Sequence, residues 1–197
     1  MLRKMSSVFW VCVLLVFLVP SVYASNQPSA PEQAFSIDTV DGEQYSPEKH
    51  KKIAGIVVEK NNQGVKVQGF STLEKYNAYT QQESFTKPID RGTKSGIDYF
   101  YEHTSGQGYG NYRTLSSGQW SYNVGVRWGT SWNDRISSLS VAPWSWVTLF
   151  QHDYYGGYYI TFKNYSSYRL FANLTSFKMP NGKTWNDQVT SIKTGNY

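Results

Sequence analysis

The sequence contains almost no cysteine. Cys12 is the only one among 197 residues, and it lies inside an apolar run near the N-terminus. A single thiol forms no intramolecular disulfide, so the disulfide-stapled scaffolds of small secreted proteins are excluded. The chain must therefore stay folded through core packing, bound metal, or both.

Long hydrophobic runs are also scarce. One run without a charge extends from Val8 to Pro20, and Arg3 and Lys4 precede it. This run is too short to span a bilayer comfortably, and Val22-Tyr23-Ala24 provides a cleavage site of the type with small residues at its first and third positions. The pattern predicts a signal peptide over 1–24. We therefore expect a secreted protein, or a periplasmic one in a Gram-negative organism, with no membrane attachment after cleavage.

Charge of either sign is sparse and scattered. The formal net charge is +5, and it falls to +3 when Arg3 and Lys4 are removed (5 − 2 = 3). A nucleic-acid-binding surface needs Lys and Arg clustered in a stripe or patch, and the sequence has none. Nucleic acid is therefore excluded as an expected partner.

The sequence also lacks the common catalytic motifs. It contains no Gly-x-Ser-x-Gly elbow, no His-Glu-x-x-His and no Gly-rich phosphate loop, and its one cysteine falls within the predicted signal peptide. These motifs are common sequence signatures of nucleophilic, zinc-dependent and phosphoryl-transfer enzymes. Carboxylate pairs for glycoside hydrolysis stay open, although no pair is singled out. The sequence predicts a protein that is not an enzyme.

One eight-residue pattern does occur twice. Residues 132–139 and 185–192 each read Trp, Asn, Asp, a free position, an aliphatic residue, a hydroxyl residue, Ser and another aliphatic residue. Each copy offers a carboxylate, backbone carbonyls and a hydroxyl, which are the oxygen ligands that hard cations prefer. For a single copy, turn formation through Asn and Asp side chains would be the favoured explanation of the pattern. The repetition favours a cation site.

The segment before this region has a different composition. Residues 25–52 are rich in Pro, Gln, Glu, Ser and Lys, which predicts a mobile linker. Two β-rich runs, 53–58 and 65–70, flank the turn sequence Asn-Asn-Gln-Gly and are typical of a β-hairpin. The polar residues 73–95 indicate a connector. We expect an extension over 25–96, and the sequence leaves open whether its hairpin packs on the later domain.

From Ile97 to the end, short strands alternate with turns rich in Gly and Asn. The sequence predicts four strands in each half, one of them over 123–128, and no amphipathic helix interrupts them. Four antiparallel strands are what one Greek key needs. The predicted fold class is therefore all-β, with two Greek-key motifs packed as a sandwich.

These motifs resemble the βγ-crystallin family, in particular its calcium-binding, microbial-like secreted members. Each motif of that family has an aromatic residue in its first strand, a turn Gly seven residues later, and then the [ND][ND]xx[ST]S stretch. Here these are Tyr101, Gly108 and 133–138 in the first motif, and Phe150, Gly157 and 186–191 in the second. The resemblance covers 97–197 and implies that Ser138 and Ser191 pack against a folded hairpin.

The chain departs from the family pattern at the first hairpin. The family usually has a second aromatic residue two positions before the turn Gly. Tyr155 fills this position in the second motif, whereas Gly106 occupies it in the first. The sequence therefore predicts a looser first corner.

The resemblance also implies two calcium ions per domain, each held by ligands from both motifs. Carboxylates would come from Asp134 and Asp187, and hydroxyls from Ser137 and Thr190. Main-chain carbonyls would come from the third position of each stretch and from the residue after each first strand: Arg135, Gln188, Glu102 and Gln151. Calcium is thus the expected cofactor, and the expected role is a structural or stress-related one.

Several alternatives remain open at this stage. Some proteins of the resembled family inhibit proteases or act as toxins against microbes, which suggests an interaction module with an extracellular protein as partner. Exposed aromatics, with 154–159 as the leading candidate, could instead bind a glycan. His103 and His152 occupy equivalent positions, which favours a shared role in the fold over metal ligation. We expect a monomer.

Overall fold

The computed structural model describes residues 36–84 and 96–197. The predicted signal peptide, 1–24, lies outside these residues, as do 25–35 of the predicted linker and 85–95 of the predicted connector. The strands in chain order are β1 Thr39–Val40, β2 Glu43–Gln44, β3 Gly55–Asn61, β4 Gly64–Phe70, β5 Ile97–Tyr101, β6 Tyr112–Ser116, β7 Trp120–Ser121, β8 Ser138–Val141, β9 Ser145–Phe150, β10 Tyr159–Asn164, β11 Leu170–Asn173 and β12 Ser191–Asn196.

Within 36–84 and 96–197, two helices and four 3₁₀ turns accompany the strands. The helices are α1, Leu73–Ser84, and α2, Val124–Trp128. The 3₁₀ turns are Ser105–Gln107, Thr130–Trp132, Asp153–Tyr155 and Leu174–Ser176. Neither helix in the described part of the chain is long and apolar enough to cross a membrane.

The strands form two sheets whose order identifies two Greek keys. The smaller sheet has the order β11-β8-β5-β6, and the larger has the order β2-β1-β4-β3-β10-β9-β12-β7. The third strand of each motif crosses to the sheet of the other motif: β7 pairs with β12, and β11 pairs with β8. Neither motif can therefore complete its sheet alone. The predicted all-β sandwich of two Greek keys is confirmed.

The core lies between the two sheets and is lined by alternate residues of each strand. In the larger sheet Val147, Leu149, Ile160 and Phe162 are fully buried, because successive side chains of a strand point to opposite faces. The ring of Phe162 meets that of Phe177 edge to face, with centroids 5.4 Å apart. This arrangement suits the quadrupoles of the two rings.

The predicted hairpin is confirmed as β3 and β4, which pair along their whole length. The Asn61 side chain closes the turn by accepting hydrogen bonds from the backbone N–H groups of Gln63 (2.8 Å) and Gly64 (3.1 Å). The structure also answers what the sequence left open. Strand β3 pairs in parallel with β10, so the hairpin extends the larger sheet of the Greek-key region.

The linker prediction is wrong where residues 25–52 are described. Strand β1 pairs in parallel with β4, and the Asp38 carboxylate accepts a hydrogen bond from the backbone N–H of Val67 at 2.7 Å. Val40 is completely buried. The polar composition hid this strand, because a two-residue strand paired on both sides can be held mainly by backbone hydrogen bonds and needs only one apolar anchor.

Helix α1 occupies part of the segment predicted as a polar connector. Tyr76 is its main anchor: the ring is 3% exposed, and the phenol oxygen lies 2.5 Å from Thr161 Oγ1 on β10. A Cβ atom on Gly55 would lie 2.4 Å from the Tyr76 ring, so glycine at that position allows the helix to approach β3. The sequence reading missed this helix because most of its residues are polar.

Helix α2 replaces the strand predicted over 123–128. Asn123 caps this helix by accepting a hydrogen bond from the backbone N–H of Val126 at 2.9 Å. The alternation of Val124, Val126 and Trp128 suggested a strand, but Val124 is buried and Val126 is 67% exposed. The local capping by Asn outweighed the two-residue periodicity.

Asp98 is a buried carboxylate at the start of the Greek-key region. Its Oδ1 accepts a hydrogen bond from the backbone N–H of Ala142 at 2.8 Å, while its Oδ2 has no hydrogen-bond partner among the described residues. Burial raises the pKa of Asp98 to about 6, although the hydrogen bond from Ala142 and the charge of Arg169 oppose this shift. The folded protein therefore binds this proton more tightly than the unfolded chain does.

We expect the stabilising effect of this proton to be complete below pH 4 and to be lost as the pH rises through about 6. The raised pKa of Asp98 corresponds to a loss of roughly 3 kcal/mol in the free energy of unfolding when this carboxyl is ionised. Asp98→Asn should therefore raise the free energy of unfolding at pH 7.5 and leave it nearly unchanged at pH 4. Urea unfolding at both pH values measures the effect, with the exposed Asp153→Asn as the control. Parallel pH profiles for wild type and Asp98→Asn would contradict the assignment.

Candidate metal centre

The two Asn-Asp stretches adopt the same local conformation. Asp134 and Asp187 both have left-handed backbones, with φ angles of 52° and 54°. In each copy the preceding Asn donates a side-chain hydrogen bond to the Asp Oδ2, at 2.8 Å from Asn133 and 2.7 Å from Asn186. Asp tolerates the left-handed region better than most residues, so the local sequence favours this loop. The second oxygen of each carboxylate stays free for another contact.

That second oxygen reaches the hydroxyl residue of the opposite stretch. Asp187 Oδ1 lies 3.1 Å from Ser137 Oγ, and Asp134 Oδ1 lies 3.1 Å from Thr190 Oγ1. The backbones of the two loops also pair, because the N–H of Asp187 donates to the carbonyl of Ile136 at 3.1 Å. The two motifs therefore exchange ligand-type oxygens reciprocally and form two clusters.

The first cluster consists of Ser137, Glu102 and Asp187. Ser137 Oγ lies 2.7 Å from the main-chain carbonyl oxygen of Glu102 and 3.1 Å from the carboxylate of Asp187. Oxygens bound to one calcium ion at about 2.4 Å are themselves separated by roughly 3 Å. One hydroxyl, one carbonyl and one carboxylate at these separations fit the ligand set of a hard cation.

The second cluster consists of Thr190 and Asp134, and its backbone matches that of the first. The N–H of Thr190 donates to the carbonyl of Phe150 at 3.0 Å, as the N–H of Ser137 does to that of Tyr101 at 2.9 Å. Gln151 therefore follows β9 as Glu102 follows β5. The position of Gln151 is consistent with its predicted role as a carbonyl ligand.

Arg135 and Gln188, at the third position of each stretch, direct their side chains to neighbours. The Arg135 guanidinium forms an ion pair with the Glu102 carboxylate, which also accepts a hydrogen bond from Asn111 at 2.8 Å. The hydrogen bond from Asn111 and the charge of Arg135 hold the pKa of Glu102 below its usual range. The positive charge of Arg135 is thus engaged by Glu102. Gln188 Nε2 donates to the carbonyl of Asp187 at 2.6 Å.

The last Ser of each stretch holds a folded hairpin, as predicted. Ser138 Oγ donates to the carbonyl of His103 at 2.6 Å, and Ser191 Oγ donates to that of His152 at 2.5 Å. The two His rings lie against glycines: a Cβ on Gly110 would be 2.5 Å from the His103 ring, and one on Gly157 would be 2.6 Å from the His152 ring. The histidines therefore share a packing role.

The first corner differs from the prediction that Gly106 would leave it loose. The ring of Tyr109 packs on that of Tyr101 with centroids 4.6 Å apart, as Tyr155 packs on Phe150 in the second motif at 5.4 Å.

The predicted turn Gly of this motif is also wrong. The N–H of Glu102 donates to the carbonyl of Asn111 as that of Gln151 does to the carbonyl of Tyr158. Gly110 rather than Gly108 is therefore the counterpart of Gly157, and the first hairpin is two residues longer. The sequence reading missed Tyr109 because it was aligned on Gly108.

The described ranges, 36–84 and 96–197, contain no group of three or more His, Cys, Asp and Glu side chains that could hold a metal. Each cluster has only one carboxylate, so any ion there would be bound mainly by neutral oxygens.

Of the tyrosines at 154–159, which were predicted to be exposed, only Tyr154 is largely exposed. Tyr154 is 72% exposed, and its ring stacks on that of Tyr122 with centroids 5.2 Å apart. Tyr155, Tyr158 and Tyr159 are half-buried. Local sequence could not separate these neighbours, because the Asp153–Tyr155 turn directs them to different sides.

No family model matches the chain, and no curated protein does. Solved structures with a similar fold include spherulin 3A from Physarum polycephalum, at 20% identity over 56% of this chain and 93% of that one, with a TM-score of 0.36. A βγ-crystallin domain from Flavobacterium johnsoniae is 24% identical over 50% of this chain and 93% of its own length, also with a TM-score of 0.36.

Protein S, solved in complex with calcium, is also similar. It is 21% identical over 52% of this chain and 50% of its own length, with a TM-score of 0.34. Calcium is a property of that complex, and identities at this level bear on fold alone. The exchanged third strands, the two folded hairpins and the paired Asn-Asp loops described above carry the assignment: in fold, residues 97–197 resemble a βγ-crystallin domain.

Proposed function

We propose that this chain is a secreted calcium-binding protein whose Greek-key domain is stabilised by two Ca²⁺ ions at the seam between its motifs. The reciprocal contact of each Asp with the hydroxyl of the other motif is the observation that carries this proposal. A turn-forming role would require no contact between the two stretches. Here the oxygens of one stretch meet those of the other twice, in matching geometry.

Each cluster would use its residues in the same way. The carboxylate of Asp187 or Asp134 supplies the negative charge, and the hydroxyl of Ser137 or Thr190 supplies a neutral oxygen. Main-chain carbonyls complete the protein ligands: Glu102 and Gln188 in the first cluster, Gln151 and Arg135 in the second. A bound cation would supply a positive centre that draws these oxygens together. Because the ligands belong to two motifs, binding would resist their separation.

The ligand set also bears on affinity. Each cluster contributes one carboxylate, and calcium affinity in proteins rises with ligand charge and rigidity. We infer dissociation constants in the micromolar to millimolar range, which suits an extracellular protein exposed to abundant calcium. Such a protein would gain robustness outside the cell without disulfides, which accords with a structural or stress-related role.

Calorimetric titration of calcium into chelator-stripped protein tests this proposal. We expect a stoichiometry near two for wild type and no binding heat for the Asp134→Ala, Asp187→Ala double variant, because each cluster loses its only charged ligand. Asp153→Ala is the matched control, since it removes an exposed carboxylate outside both clusters and should bind as wild type does. A flat wild-type titration, or undiminished heat in the double variant, would refute the proposal.

A further inference from the structure

A pocket of about 430 Å³ lies on the outer face of the larger sheet, beside helix α1. Val147 and Leu149 of β9 face the core, so Trp146, Thr148 and Phe150 face this pocket. Its lining shares no residue with the two calcium clusters. The extension contributes one wall through Tyr76, so the pocket is formed by both parts of the chain.

A polar row crosses the floor of the pocket. Thr148 is the direct cross-strand partner of Lys193 on one side and of Thr161 on the other. The hydroxyls of Thr148 and Thr161 are 2.7 Å apart, and Thr161 Oγ1 is 2.5 Å from the phenol oxygen of Tyr76. From β12 to helix α1, the row therefore consists of the Lys193 ammonium, the hydroxyls of Thr148 and Thr161, and the Tyr76 phenol.

Lys193 is the cation of this row, and it is surrounded by rings. Its Nζ lies 4.2 Å from the ring centroid of Tyr155, 5.4 Å from that of Trp120 and 5.7 Å from that of Phe150. Among the residues that the structure describes, no carboxylate lies within ion-pair distance of this nitrogen. Aromatic faces only partly replace water around an ammonium group, so this charge favours an anion beside it.

The hydroxyl row retains one donor. Its three hydroxyl groups carry three hydrogens, and two hydrogen bonds within the row use two of them. When Tyr76 donates to Thr161 and Thr161 donates to Thr148, the remaining O–H belongs to Thr148. This donor then lies beside Lys193, its cross-strand neighbour. The two groups together suit the oxygens of a carboxylate.

Aromatic side chains flank the polar row on both sides. Phe150 and Tyr159 lie on one side, with ring centroids 5.7 Å apart. Trp146 lies on the other, held close to the backbone because a Cβ on Gly195 would be 2.4 Å from its ring. Rings on two sides of a polar floor favour a flat apolar body between them.

We propose that this pocket binds a small organic anion that carries a carboxylate on an aromatic ring. The carboxylate accepts hydrogen bonds from Lys193 Nζ and Thr148 Oγ1, and the ring lies between Trp146 and the pair formed by Phe150 and Tyr159. The volume of about 430 Å³ is within the range of small-molecule sites. The described lining contains a second cation, Lys163, but it is paired with Glu59 at 3.8 Å. Lys193 therefore predicts a preference for one negative charge.

Calorimetric titration of the full chain with naphthoate, with naphthamide and with galacturonate tests this proposal. Naphthoate should bind, whereas the neutral amide and the non-aromatic sugar acid should each bind at least about tenfold more weakly. Lys193→Met keeps the alkyl stem and removes the charge, so it should weaken naphthoate binding by about tenfold. The exposed Lys183→Met, outside the pocket, is the matched control and should leave binding unchanged.

Three results would overturn the proposal. They are no naphthoate binding at millimolar concentration, equal affinity for naphthoate and naphthamide, and equal naphthoate affinity in wild type and Lys193→Met. Circular dichroism of the Lys193→Met variant establishes that it is folded, so that lost binding is not lost structure. The naphthoate titration is made in chelator, so that calcium does not contribute to the binding heat. The calcium clusters use other residues, so a lack of naphthoate binding would leave the proposed calcium function intact.

Discussion

Removing calcium with a chelator is expected to lower the melting temperature of this protein by roughly 10–20 °C. An ion that binds only the folded state adds about 2.7 kcal/mol at a hundredfold excess over its dissociation constant, so two ions add roughly 5 kcal/mol. For a domain of this size each kcal/mol shifts the melting temperature by about 2–4 °C. Thermal unfolding followed by circular dichroism, in calcium and in chelator, measures the difference.

The single variants sharpen this prediction. Asp187→Ala removes the carboxylate of the first cluster and Asp134→Ala that of the second, so each should abolish about half of the calcium-dependent shift. In chelator both variants should melt somewhat below wild type, because each loses its Asp hydrogen bonds and places Ala at a left-handed φ of 52° or 54°. The same melting temperature for wild type in calcium and in chelator would contradict the prediction. Asp153→Ala, whose calcium response should be that of wild type, controls for the loss of one negative charge.

Replacing Trp185 by Ala is expected to lower the free energy of unfolding by about 3–5 kcal/mol. Trp185 opens the second Asn-Asp stretch, is 1% exposed and lies in the core between the two sheets. Its backbone N–H donates to the carbonyl of Phe177 at 2.9 Å, which holds the residue in place. The loss is large because a buried indole leaves a cavity that the two sheets cannot close. The total free energy of unfolding of a single folded domain is only about 5–15 kcal/mol, so this loss would be a large share of it.

Urea unfolding in chelator measures this effect without a contribution from calcium. Trp120→Ala is the matched control: Trp120 is 57% exposed on a short strand, so its loss should cost within about 0.5 kcal/mol. Trp185→Phe, which keeps a ring in the core, should fall between wild type and Trp185→Ala. Equal unfolding midpoints for Trp185→Ala and Trp120→Ala would show that the core does not depend on this side chain.

Local patterns predicted the Greek-key region well, because its signals are short-range. The strands β5 and β9, the folded hairpins and the two Asn-Asp loops each depend on residues within about ten positions of one another. The packing of Ser138 and Ser191 against the hairpins is not a local signal, since each hydroxyl contacts a carbonyl 35 or 39 residues earlier in the chain. That prediction came from the resemblance to βγ-crystallins. The repetition indicated two equivalent loops, whereas the pairing of oxygens from both motifs was implied by the resemblance to βγ-crystallins.

The extension was predicted less well, because tertiary contacts override its local preferences. Helix α1 has few apolar residues, and Tyr76 anchors it only because β3 and β10 provide a groove with Gly55 at its floor. Strand β1 is two residues long and depends on the edge of β4. Their polar composition predicted linkers for both segments, because composition carries no information on the surface against which a segment packs.

The sequence by itself determined that the last hundred or so residues form two Greek keys and which oxygens the two loops present, because periodicity, turn residues and spacing are local. Only the tertiary structure decided that β7 and β11 exchange sheets, that the hairpin joins β10 in parallel, and that helix α1 forms one wall of a pocket above Lys193. The physical reason is that pairing between distant segments depends on edges and faces that exist only after each strand has packed.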